Sequence, residues 1–130
     1  MSQPDLSTDE LPAGTRVGER YVVHKLIGDG GMSQVYLAEH ESIARRVAIK
    51  ILHRELLEKP AVLARFAHEA RAASTVQHEN VVEVTDFGQT EDGRPFMVME
   101  YLDGEDLGHT LARERRLPWD RVQPILLQLL

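Results

Sequence analysis

Apolar and polar residues alternate in three runs of the chain, "RYVVHKLIG", "SQVYLAEH" and "RRVAIKIL", separated by glycine-bearing or polar segments. A period of two places every second side chain on one face of a strand, so these runs predict an antiparallel meander. In the third run Val47, Ile49 and Ile51 alternate with Ala48, Lys50 and Leu52. The period then changes. In "KPAVLARFAHEARAAST" the residues Val62, Leu63, Phe66, Ala70 and Ala73 recur near every 3.6 positions and Pro60 suits a first turn, which predicts one amphipathic helix. "NVVEVTDFGQ" and "RPFMVMEYL" return to strand character, and Asp92 and Gly93 between them supply the turn of a hairpin. Two helices are expected after them, a short one in "DLGHTLARER" and a longer one in "PWDRVQPILLQLL". Pro124 lies deeper than a first turn, where it removes a hydrogen bond, and so predicts a shifted start or a kink. Strands and helices in this order make the chain α+β.

The two ends of the chain differ from its middle. Residues 1–19 combine Pro4, Pro12, Gly14, Gly18 and several acids with few large apolar side chains, the composition of a flexible leader. The last helix carries an apolar run to Leu130 with no glycine or basic cap and no partner for that face, which reads as a domain cut within a helix.

Composition narrows the function classes. With 130 residues, 42% of them hydrophobic, one core and one domain are expected. The 21 acidic and 15 basic side chains give a net charge of -6, which disfavours nonspecific binding to nucleic acid or anionic lipid. Cysteine is absent, which removes disulfides, thiol nucleophiles and cysteine zinc sites and fits a reducing compartment. "MSQPDLSTDE" lacks the basic start and apolar run of a secretory signal, and no stretch approaches the roughly 20 apolar residues that span a bilayer. A cytoplasmic location is expected.

Four features bear on chemistry. The loop "GDGGMSQV" holds Gly28, Gly30 and Gly31, and backbone without side chains can lie close over phosphates with its amides aimed at them. A strand follows it rather than a helix, and Ser33 and Gln34 stand where a P-loop needs Gly-Lys, which disfavours both the dinucleotide fingerprint and the P-loop. Lys50 shares a strand face with Ala48 and Leu52; a lysine at such a place usually snorkels to water. Glu69 changes that expectation, because on the helix it lies on or beside the inward face, where a carboxylate needs a partner, and Lys50 is the cation at hand. The alternative is a solvated glutamate at the helix edge. The pair His68 and Glu69 makes no zinc helix, because residue 72 is alanine where the second histidine belongs. Finally, Asp86, Phe87 and Gly88 spell the tripeptide that holds catalytic magnesium in protein kinases.

Taken in order, "GDGGMSQV", "VAIK", the helix glutamate Glu69, "HENVV" and "MVMEYLDGEDL" resemble the amino-terminal lobe of protein kinases from about residue 20 onward. The form "GGMSQVYLA" resembles most the bacterial serine/threonine kinases of eukaryotic type. One departure is Ser33, where the glycine loop of the family has its third glycine. The resemblance implies a five-stranded antiparallel sheet with one helix of αC type, then the first helices of a second, helical lobe. It divides the chain into a leader (1–19), the nucleotide lobe and hinge (20–102) and the start of the second lobe (103–130).

By position, the resemblance implies that Ile27, Gly28, Asp29, Gly30, Gly31, Met32, Ser33 and Gln34 form the loop over ATP, with Val35 and Ala48 packing on the adenine. Lys50 would hold the α- and β-phosphates and pair with Glu69. Met99 falls at the gatekeeper position; the hinge, with Glu100 and Leu102, would offer backbone groups to the adenine edge. Asp106 would reach the ribose and Leu107 would close the pocket from below. Asp86 precedes the hinge and ends a hairpin strand, so its tripeptide is a decoy. The catalytic loop, the true magnesium ligands and the Ala-Pro-Glu segment are expected beyond residue 130, which leaves the chain inactive alone. The function implied is an ATP- and Mg2+-dependent protein serine/threonine kinase acting on protein substrates. Two other readings stand beside it: a regulatory pseudokinase, or a small β-rich interaction module.

Overall fold

The computed structural model describes residues 10–129. Six antiparallel strands form one sheet: β1 (Arg16–Val17), β2 (Tyr21–Asp29), β3 (Ser33–His40), β4 (Arg46–Leu52), β5 (Val84–Gln89) and β6 (Pro95–Glu100), in the spatial order β1-β2-β3-β4-β6-β5. Helix α1 (Pro60–Thr75) joins β4 to β5, and α2 (Leu107–Glu114) and α3 (Trp119–Leu129) follow the sheet. The fold is α+β, as expected from the succession of periods. Among the described residues no helix is long and apolar enough to cross a membrane.

The sheet has six strands rather than five, and the additional one falls inside the segment expected to be a leader. Arg16 pairs with Val22 and Val17 with Tyr21, and Val17 is 1% exposed. Further contacts hold this segment down: the Gly14 amide donates to the Val23 carbonyl and the Leu11 amide to the Tyr36 hydroxyl at 2.8 Å. Leu11, Gly14, Arg16 and Val17 are therefore tied to the sheet, although most of residues 10–19 are exposed; the rest of the expected leader, residues 1–9, lies outside the described residues.

The sheet curls on itself around Phe96. A Cβ on Gly18, in the turn after β1, would lie 2.7 Å from the Phe96 ring, and one on Gly88, in β5, 3.0 Å from it. Strands at opposite ends of the sheet thus meet over one ring. Inside the curl, Tyr21, Val23, Tyr36, Val47, Ile49, Ile51 and Val98 form the larger core. The opposite face carries Leu52 and Met97, which pack with Phe66 and Ala70 of α1 in a second cluster. The alternation in β4 therefore separates two cores, with Lys50 on the side of α1. The Asp92 and Gly93 hairpin forms as expected, with Gly93 at φ 86° and the Thr90 amide donating to the Arg94 carbonyl. Helix α1 begins with Pro60 in its first turn. Helix α3 starts at Trp119 and runs through Pro124, which has no amide proton to give the preceding turn.

Candidate functional site

Strand register assembles one face of the site. Val35 pairs with Lys50 and Lys50 with Met97, while Ala48 pairs with Leu37 and Met99, so these side chains stand in adjacent rows on the α1 side of the sheet. Of these, Val35, Lys50, Met97 and Met99 line a groove of about 360 Å³ together with Glu69, Ala73, Val82 and Val84, whereas Ala48 lies in the same row without lining it. Its walls are apolar apart from one cation and one carboxylate.

Lys50 and Glu69 share that groove without touching. No ion pair joins them among the described residues; Glu69 Oε1 instead accepts from Arg65 Nε at 3.3 Å, one helical turn earlier. Both partners of that pair are well exposed, so it contributes little stability and leaves Glu69 free to exchange partners.

The glycine loop joins β2 to β3, in the register in which Gly28 pairs with Val35 and Val35 with Lys50. The Gly30 amide donates to the Ser33 carbonyl, which closes a tight turn between β2 and β3. A Cβ on Gly28 would meet Val35 at 3.7 Å, whereas Gly31 has nothing within 4 Å. The amides of Gly31 and Met32 donate to no protein group among the described residues. Ile27, near the end of β2, is 43% exposed. A histidine fastens the loop from below: the His53 amide donates to the Met32 carbonyl at 2.8 Å, and His53 Nε2 lies 2.9 Å from the Gly30 carbonyl and 3.0 Å from Asp29 Oδ1.

Some expected residues lie elsewhere. Gln34 is buried on the other face of β3, where its Oε1 accepts from the Tyr36 hydroxyl at 2.7 Å and from Arg94 Nη2 at 3.4 Å. It follows Ser33 along a strand, so its side chain must point to the inner core. Leu107 lines a separate apolar groove of about 260 Å³ between α2 and α3, with Leu111, Leu117, Val122 and Ile125 among its walls. Asp106 caps α2: its Oδ1 accepts from the His109 amide at 2.7 Å, and that bond, with the His109 side chain, holds its carboxyl below the usual range. At the end of β6 the Glu100 amide donates to the Glu83 carbonyl, while the Leu102 amide just beyond it donates to no protein group among the described residues.

Asp86 sits inside β5 rather than at its end. Its Oδ2 accepts from the Tyr21 hydroxyl at 3.1 Å and its Oδ1 from the Phe87 amide at 2.8 Å. Burial first, and then this bond to Asp86, raise the Tyr21 hydroxyl pKa. The carboxylate thus ties β5 to β2 across the mouth of the curled sheet, outside the groove that holds Lys50.

The protein kinase domain family matches residues 21–130. The chain belongs to that family. A Myxococcus xanthus protein named serine/threonine-protein kinase pkn3 is 44% identical over 130 residues, which is 100% of this chain and 23% of that protein. The Bacillus subtilis serine/threonine-protein kinase PrkC is 43% identical over 94 residues, 72% of this chain and 14% of the relative. Among solved structures, the kinase domain of Mycobacterium tuberculosis PknI superposes with a TM-score of 0.76 at 27% identity, over 92% of this chain and 48% of that one. This kinase chain therefore spans less than a quarter of the length of these two relatives and about half of that solved domain, and its bacterial serine/threonine character is that of its relatives.

Two contributors to the site were not expected. Met97 lines the groove beside Lys50, and the strand alternation of "RPFMVMEYL" puts it on the same face as Met99. His53 had no such signal, because its partners lie in a different hairpin.

Proposed function

We propose that this chain is the ATP-binding part of a protein serine/threonine kinase, with residues 20–102 as the nucleotide lobe and hinge and residues 103–130 as the start of the second lobe. One observation carries the reading: a lysine in an apolar groove, on a strand paired with the one that follows a glycine loop whose Gly31 and Met32 amides donate to no protein group among the described residues. The parts fit the three parts of ATP. Val35, Ala48 and Met99 offer an apolar surface to a flat base, the Leu102 amide is a free donor at the hinge, and Lys50 with the Gly31 and Met32 amides offers positive charge and donors to phosphates.

When bound, ATP supplies the phosphoryl group that a serine or threonine hydroxyl of a protein substrate receives. The work of this chain is positioning and electrostatic. Lys50 holds non-transferred phosphates in place, the loop amides orient them, and the apolar walls exclude water. Glu69 is the partner that would hold the Lys50 ammonium forward, which requires its carboxylate to leave Arg65. Among the described residues no group of three or more His, Cys, Asp or Glu is placed to hold a metal ion. A cytoplasmic site of action on protein substrates goes with this reading.

Nucleotide binding tests it. Titration of the purified chain with a fluorescent ATP analogue should show saturable binding that unlabelled ATP displaces and that Lys50→Met weakens. Absence of displaceable binding, in both this chain and the full-length protein, would refute the assignment.

A further inference from the structure

The glycine loop is a flexible stretch by composition, yet it has a defined anchor. Gly30 and Gly31 sit at its tip, where backbone entropy opposes any single arrangement. His53 opposes that freedom at three points. Its amide holds the Met32 carbonyl, and its Nε2 stands between the Gly30 carbonyl and the Asp29 carboxylate, at 2.9 and 3.0 Å. Both of those groups are acceptors only, so Nε2 must carry the proton and donate to them. The His53 side chain is 13% exposed, whereas its Asp29 partner is 51% exposed, so the ring is held at the loop while the carboxylate stays open to solvent.

The anchor is also well placed. His53 is the residue directly after β4, the strand that carries Lys50 on its groove face. With the Gly30 carbonyl occupied by His53 and the Gly30 amide by Ser33, the donors left over at the tip are the Gly31 and Met32 amides. Loop and lysine strand are thereby joined through His53, with the Gly31 and Met32 amides donating to no protein group among the described residues.

We propose that His53 is a positioning residue for ATP, a latch whose Nε2–H holds the glycine loop in its phosphate-receiving arrangement. The proposal rests on the nucleotide reading above. Losing the latch returns entropy to the free loop, so it weakens binding of ATP more than it slows a step after binding. The loss of one net hydrogen bond corresponds to about a three- to tenfold change. His53→Phe keeps the ring and removes the donor; His53→Gln returns an amide donor near the Nε2 position.

The test uses the full-length protein with ATP, reading KM for ATP, kcat and the Kd of a fluorescent ATP analogue. His53→Phe is expected to raise KM and Kd by about three- to tenfold with kcat within about twofold, and His53→Gln to restore both. Asp29→Ala, a change at a half-exposed side chain, should raise them about twofold and decides the matter if the Phe variant does not fold. Equal losses in the Phe and Gln variants, a tighter Kd in either, or a folded Phe variant indistinguishable from the parent would overturn the latch. An unchanged Asp29→Ala would overturn it where the Phe variant is unfolded. Failure of the unsubstituted protein to bind ATP would overturn the nucleotide reading, and the latch with it.

Discussion

Replacing Asp86 with alanine should destabilise the fold and leave phosphoryl transfer intact. The carboxylate accepts from the Tyr21 hydroxyl at 3.1 Å and from the Phe87 amide at 2.8 Å, and it is only half-buried. A desolvated hydrogen bond to a charged group contributes about 1.5–3 kcal/mol, and partial solvation moves the Tyr21 bond to or below the lower end of that range. Adding a smaller share for the Phe87 amide, Asp86→Ala should cost about 2 kcal/mol and Tyr21→Phe about 1 kcal/mol. The double variant should cost about 1 kcal/mol less than the sum, because both single changes break the same bond. Urea unfolding of the four proteins measures the cycle. In the full-length protein, kcat and the magnesium dependence of Asp86→Ala should match the parent. Additive stabilities would remove the Tyr21 bond from the account, and a loss of kcat by orders of magnitude with altered magnesium dependence would make Asp86 a metal ligand.

Gly18 combines a φ of 62° with a Cβ position 2.7 Å from Phe96. Gly18→Ala should therefore cost about 2–4 kcal/mol in unfolding experiments, from left-handed strain and overpacking together, and a cost below about 0.5 kcal/mol would show that the curl is not closed there. Burial chiefly raises the pKa of both Tyr21 and Tyr36. A hydroxyl whose folded pKa exceeds its unfolded value near 10 contributes stability that is intact below that pH and lost as pH rises above it, so stability should be flat toward neutrality and fall at alkaline pH. Tyrosinate absorbance followed together with unfolding checks the coupling, and Tyr21→Phe should reduce the alkaline loss.

Much of the fold could be read from periodicity because its strands separate two different environments. Val47, Ile49 and Ile51 enter the inner core while Ala48, Lys50 and Leu52 face α1, and a period of two records that division directly. Helix α1 was legible for the same reason, with Phe66 and Ala70 at its centre. β1 was not. A strand of two residues has no period, and Val17 is buried by residues far along the chain. The packing of residues 10–19 depends equally on remote partners, such as the Tyr36 hydroxyl that receives the Leu11 amide.

At the site, the register brought Val35, Lys50, Met99 and Glu69 around one groove, which their order in the chain anticipates. Side-chain direction was harder to anticipate. Gln34 belongs to a loop-like string of letters but already lies in β3, so the pleat turns it inward to Tyr36 and Arg94. Leu107 follows β6 closely, yet as the first residue of α2 it lines the groove against α3. Glu69 pairs with Arg65 one helical turn away rather than with Lys50, a choice between two cations that composition does not encode.

The most direct test compares Lys50→Met with Asp86→Ala in the full-length protein at saturating ATP and magnesium. Phosphate incorporation into a protein substrate should fall by orders of magnitude for Lys50→Met, because an interaction that orients the phosphates in the transition state is lost while the fold persists. Asp86→Ala should retain kcat within about twofold once its lower stability is allowed for. Full activity in Lys50→Met, with its fold intact by circular dichroism, would contradict the assignment of this groove as the ATP site.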